Sequence, residues 1–404
     1  MESKKTWKQN MIRHAKRMAI RCFKVVYKVM LKCVKTDDHT VIFIAFHGRG
    51  YTCNPKYIHI EMLKQPRFDN YHLVWALKNT KTSIERSQVI RYNSLTYFYY
   101  MCKAKYWIVN CKLPGYIQKK PDQVYLQTWH GTPLKRLAYD IVETENQTFY
   151  RSGMSRKQMT DTYDNDVKKY NYMIAPNPFS FEVFQTAFRI EPERLIKTGY
   201  PRNDFLTNIT KQEIIDLKQK YNIPGYKKVI LYAPTWRDNS YNTRGYTFEL
   251  KADFRKWKQV LGDEYIVIFK PHYLIINRFE NDPTLQDFII NIDANADIND
   301  LYVISDVLVT DYSSVFFDYA NLRRPMYFYM FDLKEYADEL RGFYFDIYET
   351  MPGDIIEDED TLLADIKAGK YDYDRLDRFN KQFNVWQDGK ASERVIDIVF
   401  GKED

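Results

Sequence analysis

The sequence predicts an α/β fold made of two Rossmann-type domains, each built on a parallel β-sheet. Short, continuously apolar runs alternate with polar stretches of helix length along most of the 404 residues, a pattern typical of strands that helices cover on both faces. The 34 Tyr and 25 Phe residues exclude a largely disordered chain and are sufficient for two hydrophobic cores. Turn residues in Thr198–Asn203 indicate a boundary near residue 200, so we expect domains over residues 36–200 and 201–404.

The predicted strands are apolar runs of four to seven residues. They are Val41–Phe46, Tyr71–Leu77, Gln88–Tyr92, Tyr106–Cys111, Val124–Thr128 and Tyr172–Ala175 in the first half, and Val229–Ala233, Tyr265–Phe269, Phe288–Ile292, Val307–Thr310 and Met326–Met330 in the second. The amphipathic segment Val385–Phe400 predicts a final helix that can cross back to the first domain. Two such domains face each other across a cleft at the carboxyl ends of their strands, where open α/β sheets bind ligands.

Residues 1–35 form a cationic arm. They hold eight Lys and three Arg against one Glu, a net charge of +10, which leaves −3 for the rest of the chain. Larger apolar residues recur at the spacing of one helix face: Trp7, Met11, Met18, Cys22, Val25, Val29 and Cys33, with Ala15 between them. A basic amphipathic helix of this kind favours an anionic membrane surface. A helix packed on the body is the alternative, and nucleic acid is disfavoured because the body carries no basic stripe.

Several classes are excluded or disfavoured. No run approaches the roughly 20 apolar residues of a membrane span, and the N-terminus lacks the apolar region of a signal peptide. Five scattered cysteines without a C-x-x-C pair disfavour both a disulfide framework and a zinc site. The aspartates within residues 161–166 lack the glycine and closing Glu of a calcium loop. We therefore predict no metal site and no cofactor.

His130 directly follows the predicted strand Val124–Thr128, and Gly131 and Pro133 begin a turn there. An imidazole titrates near neutral pH, so a histidine at a strand end can act as a general base. A purely structural histidine is the alternative.

Basic residues follow two strands of the second half. Lys270 and His272 come after Tyr265–Phe269 and predict contact with an anionic group, so that a substrate would lie between the domains. The alternative for His272 is a hydrogen bond to a loop carbonyl. Arg237 follows Val229–Ala233 and can bind a phosphate through two parallel hydrogen bonds, unless it is a surface residue beside Asp238.

Ser313 and Ser314 open a predicted helix just after the strand that ends at Thr310. Their hydroxyls and the free N–H groups of a first helical turn favour a phosphate site, with plain capping serines as the alternative. Neither a Gly-x-Gly-x-x-Gly nor a Walker sequence occurs. The residues thus predict a two-domain enzyme in which a histidine and basic groups converge on a phosphate.

Five ordered blocks resemble motifs of the CDP-glycerol glycerophosphotransferase family, the bacterial teichoic acid primases and polymerases. The motifs are W-H-G-T-P, T-G-x-P-R-x-D, A-P-T-x-R-D, K-P-H and T-D-Y-S-S-x-x-x-D, and the resemblance covers roughly residues 40–400. The matching segments are Gln127–Leu134, Thr198–Leu206, Tyr232–Asp238, Phe269–His272 and Thr310–Asp318.

The resemblance implies a GT-B fold and transfer of an alditol phosphate from a CDP-alditol to a membrane-linked acceptor, with release of CMP. On the matching motif positions, His130 would be the general base, and His272 would contact the pyrophosphate and support charge on the departing phosphate. The other positions implied on the donor side are Arg237, Lys270, Thr310, Ser313, Ser314 and Asp318. Those implied on the acceptor side, against the N-terminal domain, are Trp129, Gly131 and Thr132.

The resemblance also implies the partners: CDP-glycerol as donor and a polyprenyl-diphosphate-linked disaccharide as acceptor, at the cytoplasmic face of the cell membrane. Only about 40 residues precede the first predicted strand, which favours a primase or short-chain transferase in wall teichoic acid synthesis. A CDP-ribitol-using or polymerising member, a GT-B glycosyltransferase, and a non-catalytic membrane-surface scaffold are the alternatives.

Overall fold

The computed structural model describes residues 24–142, 155–235, 241–242, 245–246, 251–270, 282–293, 296–333 and 342–402. Over these residues, strands and helices alternate and build two parallel sheets, one from each half of the chain. The predicted α/β fold class is confirmed.

The first half carries a seven-stranded parallel sheet in the order β3-β2-β1-β4-β5-β6-β7. Its strands are β1 (Asp37–Ile44), β2 (His72–Leu77), β3 (Ser87–Arg91), β4 (Ala104–Val109), β5 (Val124–Gln127), β6 (Tyr172–Ala175) and β7 (Leu195–Lys197). Its helices are α1 (helical over residues 24–33), α2 (Cys53–Lys64), α3 (Leu95–Lys103), α4 (Arg156–Val167) and α5 (Pro178–Phe188). Val41 of the central strand β1 lies opposite Leu73 of β2 and Tyr106 of β4.

The second half carries a six-stranded parallel sheet in the order β12-β11-β8-β13-β14-β15. Its strands are β8 (Lys228–Ala233), β11 (Tyr265–Phe269), β12 (Ile289–Ile290), β13 (Val307–Thr310), β14 (Met326–Tyr329) and β15 (Ile355–Ile356), while β9 (Tyr241–Asn242) and β10 (Gly245–Tyr246) form a separate antiparallel pair. Its helices are α6 (Asn203–Asn208), α7 (Lys211–Lys220), α8 (Phe254–Leu261), α9 (Ile298–Ile304), α10 (Val315–Tyr319), α11 (Ile347–Thr350), α12 (Glu359–Ala368), α13 (Tyr373–Phe383) and α14 (Ala391–Phe400).

Local sequence explains where several helices begin. Ser155 accepts a hydrogen bond from the backbone N–H of Gln158, whose side chain bonds back to Ser155, and this capping box starts α4. Asn177 caps α5 by accepting from the backbone N–H of Ser180, with Pro178 at the first helical position. These caps satisfy N–H groups that a helix start otherwise leaves without partners.

Both sheets are buried on their two faces, which is why their strands are continuously apolar. Val41 and Ile42 of β1, for example, point to opposite faces and are both fully buried. The final helix α14 packs its Val395 and Ile396 into the core that contains Val41. The chain therefore returns to the first sheet at its C-terminal end.

Helix α1 packs on the first domain along one side. Tyr27 is buried, with 1% of its surface exposed, and its hydroxyl donates to the carbonyl of Gln118 at 3.1 Å. Val25 and Val29, which belong to the apolar stripe predicted for the arm, are 63% and 55% exposed. The arm predicted over residues 1–35 is thus described only from residue 24 onward. None of the described helices has the length and apolar character of a membrane span.

Candidate active site

A cleft of about 260 Å³ lies between the carboxyl ends of β5 and β13, where the two halves of the chain meet. The first half contributes the loop after β5, and the second half contributes the loops after β8 and β13. Its lining residues are Trp129, His130, Gly131, Thr132, Pro133, Leu134, Lys135, Leu137, Thr235, Tyr312, Ser313 and Ser314. The structure thus brings together residues of three predicted stretches: the one around His130, the one around Ser313, and Tyr232–Asp238 through Thr235.

His130 has a fixed ring orientation. Its Nδ1 lies 2.7 Å from the carbonyl oxygen of Asn110, and since that oxygen can only accept, Nδ1 carries the proton and donates it. Nε2 is then left with a free lone pair. The ring is accessible from the cleft. Desolvation by the surrounding protein, followed by the charge of Arg202, lowers the pKa of His130 against the raising effect of the Asn110 carbonyl. The neutral form, which can accept a proton at Nε2, is therefore favoured.

The backbone that carries His130 is held from below by buried amides. Asn54 of α2 donates from Nδ2 to the carbonyl oxygens of Thr128 and Trp129, at 3.2 and 3.1 Å. The side chain of Gln127 accepts from the N–H of Trp129 at 3.0 Å. Trp129 has a left-handed backbone with φ of 51°, which is uncommon for a bulky residue. These bonds hold a turn that points His130 into the cleft.

Gly131 marks the closest approach between the two halves of the chain. A Cβ atom at this position would lie 2.8 Å from Ser314 Oγ and 3.5 Å from Ser314 Cβ. Any larger residue would push the loop after β5 away from the serines after β13. The glycine of the W-H-G-T-P block therefore permits His130 and Ser314 to share one cleft.

The serines lie beside a strongly bonded strand end. Ser313 and Ser314 are half-buried, and both line the cleft. Thr310 is fully buried and donates from its hydroxyl to the carbonyl of Ala233 at 2.7 Å. Asp311 accepts from the N–H of Thr235 at 2.7 Å. These bonds connect the end of β13 to the end of β8, and they hold in place the backbone from which the serines follow.

Asp318 is engaged within the protein. It is 4% exposed, and its Oδ2 accepts from Arg202 Nη2 at 2.6 Å while its Oδ1 accepts from Asn203 Nδ2 at 3.0 Å. Arg202 also donates from Nη1 to the carbonyl of His130 at 2.9 Å and to the sulfur of Cys53 at 3.2 Å. One guanidinium thus links a carboxylate of the second half to the backbone of the proposed base.

The backbone of Arg202 is held as firmly as its side chain. Its N–H donates to Asn54 Oδ1 at 3.2 Å, and its carbonyl accepts from Asn299 Nδ2 at 2.6 Å. Asn54 is the residue that also holds the carbonyls before His130. The linker between the two sheets, the α2 helix and the His130 loop therefore form one buried polar network.

Of the remaining donor-side residues, Lys270 lies within the part of the chain that the structure describes. Lys270 directly follows β11, and its ammonium lies 3.4 Å from the carbonyl oxygens of Asp293 and Ala296. Burial lowers its pKa, while the charge of Asp293 opposes that change. Arg237 and His272 lie outside the described residues. Their predicted roles, like that of Lys270, stay predictions.

Two of the three acceptor-side residues have structural partners. Trp129 is 8% exposed and packs against Phe188, with ring centroids 4.9 Å apart. Thr132 is 4% exposed and accepts from Asn177 Nδ2 at 3.3 Å. Gly131, the third, makes the approach to the serines already described.

Several residues of the site were not predicted from the sequence. Arg202 lies in the T-G-x-P-R-x-D block, but no role was predicted for it. Lys135 and Thr235 line the cleft. Lys135 directly follows the segment Gln127–Leu134, and Thr235 is the threonine of the A-P-T-x-R-D block, but no role was predicted for either. Asn54 and Asn110 could not be recognised in the sequence, because asparagines that hold a backbone or a ring through hydrogen bonds belong to no recognisable motif.

No three His, Cys, Asp or Glu side chains of the described ranges come together in a group that could hold a metal ion. The chemistry available in the described cleft is that of a neutral imidazole, hydroxyls and a lysine.

Comparison with known proteins identifies the class. The family described as CDP-Glycerol:Poly(glycerophosphate) glycerophosphotransferase matches residues 26–401, and the chain belongs to this family. A solved structure titled as the wall teichoic acid polymerase TagF, a histidine-to-asparagine variant soaked with CDPG, superposes with a TM-score of 0.85 at 34% identity, covering 96% of each chain. The GT-B-like arrangement implied by the resemblance is confirmed by this match.

Two curated relatives from this family are similar to most of the chain. The teichoic acid poly(glycerol phosphate) polymerase of Bacillus subtilis (strain 168) is 41% identical over 373 residues, which cover 90% of this chain and 49% of the relative. The chain therefore spans about half the length of that protein. The teichoic acid glycerol-phosphate transferase of Staphylococcus aureus is 36% identical over 375 residues, covering 90% of this chain and 93% of the relative.

Proposed function

We propose that this protein transfers glycerol phosphate from CDP-glycerol to a polyprenyl-diphosphate-linked disaccharide and releases CMP, in wall teichoic acid synthesis. The observation that carries the proposal is the position of His130 in the cleft. Its Nδ1 is bonded to Asn110, its Nε2 is free, and the loop that holds it touches Ser314 of the other half. Family membership and two relatives named for glycerol phosphate support the choice of substrate.

His130 acts as the general base in this proposal. The acceptor hydroxyl gives its proton to Nε2 as its oxygen attacks the β-phosphorus of CDP-glycerol, the phosphorus that carries the glycerol. The bond from that phosphorus to the bridging oxygen breaks, and CMP leaves with the bonding electron pair. A neutral imidazole is required for the first step, and the lowered pKa of His130 keeps it neutral below its ordinary pKa of about 6.5.

The donor phosphates lie against the second half of the chain. Ser313 and Ser314 offer hydroxyl donors at the cleft, and Lys135 adds a cationic side chain to its wall. In this proposal the donor phosphates also contact basic residues that follow strands β8 and β11, namely Arg237, Lys270 and His272. Phosphoryl transfer then depends on positioning and on stabilising charge as it develops.

The base role is tested with His130→Asn. The asparagine amide keeps a donor near the position of Nδ1, facing the Asn110 carbonyl, but removes Nε2. We expect kcat for CMP release to fall by at least about 100-fold, the usual contribution of a positioned general base, while the affinity for CDP-glycerol is kept. His72→Asn, at the amino end of β2 and 3.0 Å from Gln88, is the matched control. A His130→Asn enzyme within tenfold of the unchanged protein would refute the role.

The donor side is tested with Ser313→Ala combined with Ser314→Ala. We expect weaker binding of CDP-glycerol and of CMP, by about tenfold for the loss of hydrogen bonds to a charged phosphate. Calorimetric titration of both ligands measures this effect. Unchanged affinity for CDP-glycerol would show that these serines do not bind its phosphates.

The arm supports contact with an anionic membrane surface. Lys24, Lys28 and Lys32 are exposed on α1 beside the exposed Val25 and Val29, and each basic residue contributes about 1 kcal/mol near anionic lipid. Deletion of residues 1–23 retains the packed Tyr27 and should weaken sedimentation with phosphatidylglycerol vesicles. Equal sedimentation of the shortened and full chains would contradict a membrane role of those residues.

The number of units added is the finer part of the proposal. We favour addition of one or a few units, in line with the name of the S. aureus glycerol-phosphate transferase, which is matched along 93% of its length. A poly(glycerol phosphate) polymerase of Bacillus spizizenii is matched along 97% of its length at the same identity of 36%, so a polymerising enzyme is the alternative. Product mass after exhaustive reaction tests this directly. Chains of many units would identify a polymerising enzyme, and activity only with CDP-ribitol would identify the other alditol as substrate.

A further inference from the structure

Basic side chains gather at the carboxyl edge of the first sheet, beside His130. The strands β2, β1 and β4 are neighbours in that sheet, and each is followed within five residues by a basic side chain. These are Lys78 after β2, His47 and Arg49 after β1, and Lys112 after β4. Because parallel strands end at the same edge, the four side chains share one edge of the domain. We call them the edge cluster; the proposed base and donor sites do not use them.

The three cations of the edge cluster act on the imidazole of His47. Burial lowers the pKa of His47, and the charges of Arg49, Lys78 and Lys112 lower it further, with Asp166 opposing them. Three cations that each act on one imidazole produce a local positive potential. Such a potential attracts an anion and costs folding free energy when none is bound.

Lys112 is a half-buried member of the edge cluster. Its ammonium donates to Thr162 Oγ1 at 2.7 Å and lies 3.5 Å from the ring centroid of Tyr163. Among the described contacts of this ammonium there is a hydroxyl and an aromatic ring, but no carboxylate in salt-bridge contact. Burial accordingly lowers the pKa of Lys112 to about 8, against the raising effect of Asp166.

Asp166, the carboxylate whose charge acts on Lys112, is already engaged elsewhere. Asp166 Oδ2 accepts from the N–H of Leu113 and from the hydroxyls of Tyr125 and Tyr170, at 3.1, 3.2 and 2.8 Å. Its Oδ1 pairs with Lys169 at 2.9 Å. Asp166 therefore has little capacity left to neutralise a second lysine.

The loop that carries His47 is preformed. Phe46, His47 and Gly48 all have left-handed backbones, with φ of 45°, 56° and 77°. A Cβ on Gly48 would lie 2.7 Å from Tyr92 Cβ, so the loop is packed tightly under that tyrosine. His47 Nδ1 lies 3.4 Å from the Tyr92 hydroxyl. Consecutive left-handed residues recur where a backbone is held for a function.

The edge cluster adjoins the proposed base. The rings of Phe46 and His130 meet edge to face with centroids 5.5 Å apart. The N–H of His47 lies 3.3 Å from Cys111 Sγ, and Cys111 follows Asn110, whose carbonyl holds the His130 ring. The cluster thus lies on the first-domain side of His130, whereas Ser313 and Ser314 lie on the second-domain side.

We propose that His47, Arg49, Lys78 and Lys112 form a binding site for a phosphate group of the acceptor. The inference rests on the proposed function, because the donor phosphates occupy the opposite wall there and the acceptor is the remaining anionic substrate. A phosphate bound at this edge holds the acceptor with its attacking hydroxyl toward His130 Nε2. That phosphate belongs either to the prenyl diphosphate or to a glycerol phosphate unit already attached.

The test varies the charge of Lys112. Lys112→Met keeps an apolar stem on Tyr163 and removes the ammonium, and Lys112→Arg keeps the charge. Lys228→Met is the matched control, since this ammonium also lies over a ring, that of Tyr265 at 5.3 Å, but at the amino end of β8. Initial rates of CMP release are measured against acceptor at saturating CDP-glycerol, and against CDP-glycerol at saturating acceptor.

We expect Lys112→Met to raise the KM for acceptor by about tenfold, the loss of one charge-assisted hydrogen bond, with the KM for CDP-glycerol within twofold. Lys112→Arg should restore most of the loss, and Lys228→Met should change neither constant. Two acceptors separate the sources of the phosphate. If the KM rises for the bare lipid-linked disaccharide, the bound phosphate belongs to the prenyl diphosphate. If the KM rises only for an acceptor that carries one glycerol phosphate unit, the bound phosphate belongs to that unit.

An unchanged KM for both acceptors, or an equal rise in the KM for CDP-glycerol, would overturn the assignment. Lys78→Gln alters only an exposed side chain and repeats the test if Lys112→Met unfolds. A binding measurement separates this inference from the proposed function. Calorimetric titration with tri(glycerol phosphate) should show binding to the unchanged protein and about tenfold weaker binding to Lys112→Met, even if no CMP is released in any assay. Equal affinity of the two proteins would also overturn the site.

Discussion

The ion pair between Arg202 and Asp318 should be essential both to stability and to the placement of His130. Its two side chains are each 6% exposed and 2.6 Å apart. The same guanidinium donates to the His130 carbonyl at 2.9 Å. Removal of either charge leaves the other buried without a counter-ion, which costs about 3–5 kcal/mol. We expect Asp318→Asn to lie at the lower end of that range, because the amide oxygen can still accept from Arg202.

A double variant separates stability from positioning. Arg202→Met with Asp318→Leu removes both buried charges, and such apolar replacements are often neutral in stability. It cannot restore the bond to the His130 carbonyl. We therefore expect the free energy of unfolding to recover toward that of the unchanged protein, while kcat for CMP release stays at least about tenfold lower, as for the loss of about 1.4 kcal/mol of positioning.

The assay combines urea unfolding with steady-state CMP release, and an exposed pair of the same chemistry is the control. Arg323 and Asp377 are 2.9 Å apart but 62% and 35% exposed, so Asp377→Asn should cost less than about 1 kcal/mol. Asp318→Asn with unchanged stability and unchanged kcat would refute the reasoning. A raised KM for CDP-glycerol at unchanged stability would instead support the donor-binding role that the resemblance implies for Asp318.

Two further predictions follow from packing and burial. Gly131→Ala places a methyl group 2.8 Å from Ser314 Oγ, so kcat/KM for CDP-glycerol should fall by about tenfold, as overpacking costs 1–3 kcal/mol. Adding Ser314→Ala to Gly131→Ala should cost less than Ser314→Ala alone; strict additivity would contradict the contact. His59 is buried between Tyr51 and Ser87, and burial lowers its pKa to about 4. The free energy of unfolding is therefore highest above pH 6.5, where His59 is neutral in both states. It falls by about 2 kcal/mol between pH 6.5 and 5, because the unfolded chain then binds a proton at His59 that the folded chain does not. His59→Gln should flatten this pH dependence in urea unfolding, and a slope equal to that of the unchanged protein would contradict the burial argument.

The strands were predictable because both sheets are buried on two faces. Runs such as Val229–Ala233 and Tyr265–Phe269 coincide with β8 and β11 within one residue. The short edge strands β7 and β15 were missed, since three and two residues give no periodic signal. The predicted strand Tyr106–Cys111 extends two residues beyond the observed end of β4. The strand ends earlier because Asn110 and Cys111 bond the loops around Phe46 and His130.

The centre of the candidate site was predictable from strand ends alone. His130 and Ser314 each follow an apolar run, and parallel sheets place such positions at a cleft. The role of Arg202 was not predictable, because it depends on contacts with residues 72 and 116 positions away. The edge cluster was hidden for a similar reason. Its four basic residues are dispersed over 66 positions of sequence, from His47 to Lys112, and only the sheet order brings them together.

The cationic arm shows a limit of helical periodicity. Val25 and Val29, which belong to the predicted apolar stripe, lie on one side of α1, whereas Tyr27 and Met30 form a second face at similar spacing. The body covers the second face, and the first is exposed. Sequence spacing identifies a face; the neighbouring domain decides which face is buried.

The central claim is tested most directly by CMP release from CDP-glycerol, with and without a prenyl-diphosphate disaccharide, in the presence of EDTA. We expect CMP release that depends on the acceptor, with a product heavier by whole glycerol phosphate units and no such release by His130→Asn. Release that is independent of the acceptor, or acceptor-dependent release that survives in His130→Asn, would contradict it.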